Sequence, residues 1–528
     1  MARQKSEDRT VPQGRRKPVS TRIIERRGGG KSVPVDKQTR QLELFNGTAE
    51  VCEAQAERVD GGAAAGEPAA APHATPKPRN KNETIAPAAM MEEVTKRLGE
   101  AFQKVASNRG AAGPDGESIE EVRKHLDELL PKLRRELLEG TYQPGAIRRV
   151  WIPKSGGGER GLGIPNVVDR MVQESVRAVL EPLYEPTFHE GSHGFRPNRS
   201  CHTAIERARR YVDEGYDWVV DIDLEKFFDK VNHQRLMARL AERVRDRRLL
   251  VLIGRMLKAR VVMTDGVVVS TKEGVPQGGP LSPLLSNVVL DELDCELAER
   301  GHRFVRYADD CNIYVRSERA GQRVMDSVAR FIERRLRLKV NSAKSAIARP
   351  SERHFVGFRL ERTPEDGEVE VLLSKRSKER LDERIRELTP RTWGRSLRDC
   401  IIGINTYLAG WLSFFGICTA RVASTLRGVD AHVRRRLRAI QLTHWKTKRI
   451  RALRLIRLGV KSGTAWRTVY NGRKSLWALS HSPAIDRGLR NAYFAKRGLM
   501  SLAAQWQVKR ELIAAPVQLA LCRDGSRS

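Results

Sequence analysis

The amino-acid sequence predicts an α+β protein built around an antiparallel sheet with helices packed on one face. Between residues 142 and 375 the hydrophobic pattern runs strand, helix, hairpin, helix and strand, an order typical of this class. After about residue 375 the chain turns helical and strongly basic. Residues 1–84 are rich in Ala, Gly and Pro, with few large apolar side chains to bury, which predicts disorder.

The charge balance indicates a polyanionic partner. The 528 residues include 97 Lys and Arg against 65 Asp and Glu, a formal net charge of +32. Nucleic acid is the first candidate for such a chain and an anionic membrane surface the second. The alternative is that the charge only makes the surface soluble or belongs to a basic tail.

The cysteines and the longest uncharged run exclude two classes. Seven cysteines are scattered without a CxxC pair, which argues against a disulfide framework or zinc module and fits a reducing compartment. Residues 401–420 carry no charge and are long enough to span a bilayer. Interior polar residues and heavily charged flanks favour instead a buried amphipathic helix or helix pair.

The remaining elements follow from local patterns. A helical pattern begins near Met90 and stops at Gly110, and Ser118 with Glu121 has the spacing of a capping box. "AIRRVWIPKSGGGERGLGIP" predicts two strands around a Gly-rich turn. "VVMTDGVVVS" predicts a hairpin with Asp265-Gly266 at its turn, and "SPLLSNVVLDELDCELAER" a long helix.

Three carboxylates form the candidate catalytic group. Asp309 and Asp310 lie between the apolar arms of "RFVRYADDCNIYV", at the tip of a predicted hairpin, and Asp223 ends the apolar run of "WVVDIDLEKFFDKV". Adjacent carboxylates are tolerated when a divalent cation neutralises them, and hard oxygen ligands suit Mg²⁺. If the two strands pair, the cluster could hold two ions roughly 3.5–4 Å apart, as in phosphoryl transfer. Taken singly, each motif could also be a surface turn or loop.

Four runs together resemble one family. "RYADD", "GVPQGGPLSPLLSNVVLDELD", "DIDLEKFFDKVNH" and "GSHGFRPNRS" are similar to the reverse transcriptases encoded by group II introns, and the resemblance covers about residues 90–502. It implies a right-hand polymerase with fingers, palm and an α-helical thumb and maturase region. It also implies RNA-directed DNA polymerase activity with two Mg²⁺ ions, for which Mn²⁺ could substitute.

The resemblance assigns metal ligands. It implies that Asp223, Asp309 and Asp310 are catalytic and hold the metal ions, together with the backbone carbonyl of Leu224. Asp309 is expected to contact the metal more directly than Asp310. The neighbouring acids Asp221 and Asp229 do not align with metal ligands, and a helix cap or a surface charge is expected for both.

The resemblance also assigns groups for the incoming nucleotide. Lys154 and Arg160, around "SGGGE", would clamp the triphosphate, a fork and a point charge that suit phosphates. Gln277 would lie near the nucleotide, in a loop whose Gly and Pro content fits close backbone approach. Read without the resemblance, the Gly-rich turn is only a flexible hairpin tip.

Two further nucleotide contacts have open alternatives. Phe228 would place a ring against the sugar, where it excludes a 2′-hydroxyl, but Phe227 and Phe228 could both be core residues. Lys344 would lie near the phosphates, but it could equally be an ordinary solvated lysine.

The resemblance divides the chain into five segments: a disordered basic tail (1–84), an N-terminal fingers extension (85–133), the fingers and palm (134–375), a helical thumb and maturase RNA-binding domain (376–502) and a C-terminal tail (503–528). Many relatives end in an endonuclease domain with Cys pairs and His. The 26 or so residues after Leu502 lack that pattern, so we expect the type without this domain.

The predicted function is that of an RNA-directed DNA polymerase that binds its intron RNA, assists splicing and copies the RNA into DNA for retrohoming. Its partners would be group II intron RNA, an RNA template with a DNA primer or target DNA, and dNTPs, with no membrane. A splicing-only maturase and a reverse transcriptase recruited to phage defence are the alternatives. We expect a bacterial cytoplasm rather than an organelle, and the oligomeric state stays open.

Overall fold

The computed structural model describes residues 90–153, 158–365, 367–390, 394, 396–471 and 475–514, without the side chains of residues 513 and 514. The predicted disordered tail, residues 1–84, lies outside this range, as does most of the C-terminal tail.

The strands, in chain order, are β1 (Ile147–Pro153), β2 (Glu159–Ile164), β3 (Trp218–Ile222), β4 (Val261–Val262), β5 (Val268–Val269), β6 (Arg303–Tyr307), β7 (Asp310–Val315), β8 (Ala346–Ala348), β9 (Phe358–Arg362) and β10 (Val369–Leu373).

The helices, in chain order, are α1 (Met91–Lys96), α2 (Leu98–Ser107), α3 (Ile119–Lys124), α4 (Leu126–Glu139), α5 (Val167–Tyr184), α6 (Cys201–Asp213), α7 (Phe227–Lys230), α8 (His233–Ala241), α9 (Arg247–Leu257), α10 (Ser282–Glu299), α11 (Glu318–Phe331), α12 (Lys375–Leu388), α13 (Leu397–Phe415), α14 (Val422–His444), α15 (Lys448–Arg457), α16 (Ser462–Tyr470), α17 (Leu476–Leu479), α18 (Pro483–Gly488), α19 (Asn491–Ala495) and α20 (Leu502–Ala514). A 3₁₀ turn (Glu185–Thr187) follows α5, and a π-helical turn (Ile332–Leu336) follows α11.

Local sequence signals account for the N-terminal half. Ser118 and Glu121 form the predicted capping box at the start of α3. The two strands around the Gly-rich turn pair antiparallel as β1 and β2 and join β4 and β5 in one sheet of order β2-β1-β4-β5. Gly266 takes a φ of 83° between β4 and β5, where a residue with a Cβ would be strained. This sheet and the surrounding helices form the fingers.

The palm is a second, antiparallel sheet of order β6-β7-β3-β8. Side chains alternate across it, so Val219 and Val220 enter two different hydrophobic cores. Helix α6 packs on the face of Val219, and α11 packs on the face of Val220, where Gly321 lets the helix approach closely. The α+β class is confirmed, but the expectation of helices on one face is wrong, because the sheet is apolar on both faces.

The C-terminal half is a helical region joined to the palm. β9 and β10 form a two-stranded sheet, and the core that contains Val219 continues into α13 and α14. The uncharged run lies mainly in the single helix α13, which is buried along one side and exposes Ile402 on the other. None of the described helices is both long and apolar enough for a membrane crossing. Trp506 of α20 is buried and donates its indole N–H to the Cys418 carbonyl, which docks that helix.

The cysteines depart from the expectation in one respect. Among the described residues Cys295, Cys311, Cys400 and Cys418 carry free thiols, as a reduced chain would. Cys201 is disulfide-bonded.

Candidate active site

The palm hairpin carries two of the predicted catalytic acids at its turn. Tyr307 pairs with Asp310, so Ala308 and Asp309 alone connect β6 and β7. Ala308 has a φ of 59°, a left-handed conformation that is uncommon for a residue with a Cβ. Asp309 and Asp310 are half-buried at this end of the sheet. The turn therefore projects both carboxylates from one sheet edge, as the sequence predicts.

The third acid lies at the same edge. β3 pairs antiparallel with β7, and its last pair joins Ile222 to Cys311. Continuing this register by one residue places Asp223 opposite Asp310, and opposed residues in an antiparallel pair have Cα atoms about 4.5–5.5 Å apart. Asp223 and the hairpin turn therefore share one end of the sheet.

The electrostatics of these acids show that they act on one another. Burial raises the pKa of Asp309, and the charge of Asp223 raises it further, against the lowering effect of Arg160 and Arg306. The pKa of Asp310 is raised well above its ordinary value by burial and then by the charges of Asp221, Asp309 and Asp223. Such mutual repulsion is what a bound cation relieves.

The backbone after Asp223 points a carbonyl towards the hairpin. The Asp223 carbonyl accepts from Asn341 N–H, and Glu225 N–H donates to the Lys339 carbonyl, both on the side of residues 339–341. Because successive residues of an extended chain direct their peptide groups to opposite sides, the Leu224 carbonyl faces the side on which β7 lies. This orientation fits the prediction that it is a metal ligand.

The donor set fits divalent cations of the Mg²⁺ type. Three carboxylates and one carbonyl are hard oxygen ligands, and the charges of neighbouring carboxylates add to burial in raising the pKa values of Asp309 and Asp310. Across the described residues, no three His, Cys, Asp or Glu side chains already stand in a geometry that could hold a metal ion. The carboxylates thus gather at one edge without closing around a preformed site.

A buried arginine supports the turn from behind. Arg306 and Asp294 form an ion pair in which both side chains are 0% exposed. Arg306 Nη1 also donates to the Ala308 carbonyl at 2.8 Å and to Asn287 Oδ1 at 3.0 Å, and Nη2 donates to Ser192 Oγ at 2.7 Å. One guanidinium therefore joins the strained turn to helix α10 and to the loop before α6.

The loop of "GSHGFRPNRS" fits against the same turn. A Cβ on Gly194 would lie 2.2 Å from the Ala308 backbone nitrogen, and the Gly194 carbonyl accepts from Asn287 Nδ2 at 2.8 Å. Sequence reasoning quoted this motif and Arg306 but gave neither a role. The available signal was the coexistence of a basic residue in an apolar strand with Asp294 in an apolar helix.

The two neighbouring acids differ from each other. Asp221 is 7% exposed and accepts from Arg353 Nε at 2.8 Å, and Arg353 also donates to the Lys344 carbonyl. The expectation of a cap or surface charge is wrong for Asp221, because its partner comes from a distant part of the chain that local sequence does not reveal. The side chain of Asp229 is 41% exposed and pairs with Arg149 of β1 at 3.4 Å, which fits the expected surface charge.

The predicted nucleotide contacts of the fingers come together in part. Arg160 Nε donates to Gln277 Oε1 at 2.7 Å, and Gly163 N–H donates to the Gln277 carbonyl at 2.6 Å. A Cβ on Gly278 would lie 2.5 Å from the Gly163 carbonyl oxygen, so only glycine permits this approach. Lys154 lies outside the described residues.

The two phenylalanines are both buried, Phe227 to 2% and Phe228 to 7% exposure. Their rings meet edge to face at 5.1 Å, so they do not point the same way. The Phe228 carbonyl accepts from Val275 N–H at 2.6 Å, which ties it to the loop that carries Gln277. Burial alone therefore does not distinguish a core residue from a sugar gate.

Lys344 lies beside the catalytic acids. Its Nζ is 3.6 Å from Asp223 Oδ2, with the lysine side chain 66% exposed and the aspartate 38%. The lysine is thus both largely solvated and next to a predicted metal ligand, so its role at the phosphates stays a prediction.

Two protein-family models match this chain, one over the region that contains the sheets and one over the helical region after it. The family model "Reverse transcriptase (RNA-dependent DNA polymerase)" matches residues 152–360, and the model "Group II intron, maturase-specific domain" matches residues 378–459. The fold and the site thus define a reverse transcriptase, an RNA-directed DNA polymerase, followed by a maturase domain.

Relatives narrow the family. The chain is 34% identical to Protein YkfC of Escherichia coli over 50% of this chain and 80% of that protein. It is 40% identical to the group II intron-encoded protein LtrA of Lactococcus lactis, over 37% of this chain and 32% of LtrA. It is 27% identical to the putative COX1/OXI3 intron 2 protein of Saccharomyces cerevisiae, over 65% of this chain and 46% of that protein. The chain belongs to the group II intron reverse transcriptases and maturases, although its match spans only about a third of LtrA.

Proposed function

We propose that this protein copies RNA into DNA by nucleotidyl transfer at Asp223, Asp309 and Asp310, with two Mg²⁺ ions, or Mn²⁺ in their place. The observation that carries the proposal is the pairing of β3 with β7, which brings Asp223 opposite the hairpin acids. The raised pKa values of Asp309 and Asp310 support it, since burial and then the charges of neighbouring carboxylates raise them, and a bound cation would stabilise the charged forms. When bound, such ions lower the pKa of an attacking 3′-hydroxyl and stabilise leaving phosphate oxygens.

The protein's own cations would bind and orient the nucleotide. Arg160 is exposed at the start of β2, close enough to lower the pKa of Asp309, so its guanidinium can reach a triphosphate next to the acids. Gln277 holds Arg160 by a hydrogen bond and would pre-position it. Lys344, now paired with Asp223, would turn to a phosphate once metal ions neutralise that carboxylate.

Phe228 would exclude ribonucleotides. Its backbone is held between β3 and the loop of Val275 and Gln277, and the packed ring cannot easily move aside. A rigid ring against the sugar C2′ rejects a 2′-hydroxyl by steric contact, which is a discrimination by shape alone.

Template-dependent incorporation tests the polymerase directly. The full-length protein, an RNA template with a DNA primer, dNTPs and Mg²⁺ should give extended primer, whereas Asp309→Ala should lose at least about a hundredfold in rate. Equal incorporation by the wild type and Asp309→Ala would overturn the assignment. Omitting Mg²⁺ in the presence of EDTA should abolish extension, and Mn²⁺ should restore part of it.

We propose a second role in splicing of the intron RNA. The maturase family match at residues 378–459 favours it, and the helices there are basic. On α15 and α16, Lys448 lies 5.6 Å from the ring of Tyr470, which is 49% exposed, a pairing that suits phosphate and unpaired base. We expect this splicing to take place in a bacterial cytoplasm. Together with the polymerase, bound intron RNA would then be copied into target DNA for retrohoming.

Deleting the helical region separates the two roles. A protein truncated before residue 376 would lose assistance to splicing of its intron while the palm acids stay intact. An Asp309→Ala full-length protein should do the reverse, splicing normally without making DNA. If splicing proceeds equally with the truncated protein, the maturase role is contradicted.

A further inference from the structure

A large cavity lies on the palm beside helix α6. It has a volume of about 1100 Å³ and is bounded by helix α6, the loop of residues 189–193, the start of β6 and one residue of β10. Arg303, which begins β6, lines it, whereas the catalytic turn follows the other end of that strand. At roughly 3.4 Å per residue, Arg303 lies more than 13 Å from the turn along this strand. His193 lies closer, since its backbone N–H donates to the Arg306 carbonyl at 2.8 Å. None of the described residues that line the cavity is a predicted metal ligand or nucleotide contact.

The cavity contains a histidine with an unpartnered ring nitrogen. His193 is 2% exposed, and its Nδ1 lies 2.8 Å from Thr203 Oγ1. Thr203 Oγ1 also bonds to the Ser200 carbonyl at 2.9 Å. Burial and nearby arginine charges lower the pKa of His193 to about 3, which keeps the ring neutral. Nε2 has no hydrogen-bond partner among the residues that the structure describes.

Arginines surround this histidine in excess of their partners. Five line the cavity: Arg199, Arg207, Arg209, Arg210 and Arg303. The three lining glutamates are Glu190, Glu206 and Glu214. Of these acids Glu190 pairs with Arg207, and Glu206 lies 3.9 Å from Arg210.

Three arginines therefore keep capacity for a ligand. Arg209 touches only Asp213, at 3.8 Å, and its buried Nε lacks a hydrogen-bond partner among the described residues. Arg303 makes no ion pair with any described acid. Arg199 Nη1 donates to the Glu190 carbonyl at 3.0 Å, which leaves its other N–H groups for a ligand, and burial and then the charges of Arg196 and Arg207 lower its pKa.

The chemistry of the lining selects the ligand class. Arginines favour phosphate, and an unpartnered imidazole nitrogen favours a hydroxyl group, which can both donate and accept. RNA offers both in each repeat, because its 2′-hydroxyl lies next to its phosphate and DNA lacks that group. The volume exceeds the roughly 300–1,000 Å³ of small-molecule pockets, which leaves room for more than one nucleotide.

We propose that this cavity binds a short single-stranded RNA segment, with phosphates on Arg199, Arg209 and Arg303 and a ribose hydroxyl hydrogen-bonded to His193 Nε2. The palm thereby has an RNA-binding site in addition to the polymerase cleft and the maturase helices. It does not depend on catalysis, so a polymerase-dead protein would still bind RNA here.

Photo-crosslinking tests the site. Full-length protein would be irradiated with a 4-thiouridine RNA of about eight nucleotides, and crosslinked peptides mapped by mass spectrometry. We expect crosslinks in residues 189–214 and 298–303, displaced by unlabelled RNA and far less by DNA of the same sequence. Crosslinks confined to the polymerase cleft and C-terminal helices would overturn the proposal. Displacement by AMP as effective as by RNA would identify a free-nucleotide pocket and overturn the RNA-strand assignment.

Charge-reversed variants test the proposed RNA site quantitatively. Arg303→Glu with Arg209→Glu should lower crosslinking in these peptides at least about fivefold and reduce the salt dependence of RNA binding by about one phosphate per arginine. Arg323→Glu is the matched control, an exposed arginine on α11 that does not line the cavity. It should change crosslinking there less than about twofold. Equal losses in both proteins would reduce the effect to overall charge and contradict the site.

The histidine predicts selectivity. His193→Leu should bring RNA crosslinking at the cavity down to the level of DNA, while DNA crosslinking stays unchanged. Thermal melting would establish that the variant is folded. If His193→Leu keeps the preference for RNA, the assigned hydroxyl contact is wrong.

Discussion

Two cations lie next to the catalytic acids, and the protein holds them in opposite ways. Arg306, behind the turn, is 0% exposed and bonds to Asp294 and the Ala308 carbonyl, among others. Lys344, in front, is 66% exposed and makes one contact of 3.6 Å with Asp223. The rear cation has no freedom to move, whereas the front cation can leave its carboxylate at little cost.

This difference distinguishes a cation that holds the turn in place, Arg306, from one that can take part in substrate binding, Lys344. A turn with a left-handed Ala308 persists only if its surroundings over-determine it, which the Arg306 network does. In the proposed mechanism Asp223 exchanges partners, since metal ions and a nucleotide would approach it, and an exposed lysine allows that exchange. Each prediction below alters one side of this contrast.

The largest effect is expected behind the turn. Arg306→Met leaves Asp294 buried without its partner, which should lower the free energy of unfolding by about 3–5 kcal/mol and abolish primer extension. Urea denaturation and extension assays measure the two losses.

The double variant Arg306→Met, Asp294→Leu separates the two losses. It removes the uncompensated charge and should recover much of the stability, because an apolar pair can replace a buried ion pair. It should stay inactive, since nothing then holds the Ala308 carbonyl. A stable and fully active double variant would show that the network serves the fold alone.

Phe227 and Phe228 provide a matched pair of variants next to the predicted nucleotide site. Phe228→Ala and Phe227→Ala should each cost about 3 kcal/mol of stability, because both rings are buried. Only Phe228→Ala should raise ribonucleotide incorporation relative to dNTP incorporation, by about tenfold or more in the ratio of kcat/KM. The same ratio in both variants would make Phe228 a core residue.

The acids themselves should make the metal-free protein sensitive to pH. Because burial and neighbouring acids raise the pKa of Asp310, the folded protein binds a proton there more tightly than the unfolded chain. In EDTA the free energy of unfolding should therefore fall as the pH rises through that pKa. Asp310→Asn should flatten this dependence and melt at a higher temperature in EDTA, with a smaller gain on adding Mg²⁺. A steeper pH dependence of the free energy of unfolding in Asp310→Asn would contradict the raised pKa of Asp310.

The smallest effect on stability is expected for Lys344. Lys344→Ala breaks only an exposed ion pair, so the free energy of unfolding should change by less than about 1 kcal/mol. Its effect should appear in the KM for dNTP, several-fold higher, with kcat less changed. Lys339→Ala, five residues earlier, is the control, and an equal rise in KM there would remove the specific role of Lys344.

Sequence reasoning predicted the site better than its surroundings. The sequence pattern placed all three acids at the ends of strands, from the alternation around Asp309 and Asp310 and the apolar run before Asp223. Antiparallel pairing of those strands then brings their ends together. It did not predict the partners. Ser192 lies 114 residues from Arg306, and Arg353 lies 132 residues from Asp221, separations across which local pattern carries no information.

The amino-acid order by itself determined the periodic elements, the Gly and Asp-Gly turns and the positions of the acids at strand ends, because these depend on side-chain periodicity and backbone sterics within a few residues. Only the tertiary structure decided the register that sets Asp223 opposite Asp310, the burial of Arg306 against Asp294, and the coverage of both palm faces. Those features depend on which surfaces exclude water together, and that is a property of the packed chain as a whole.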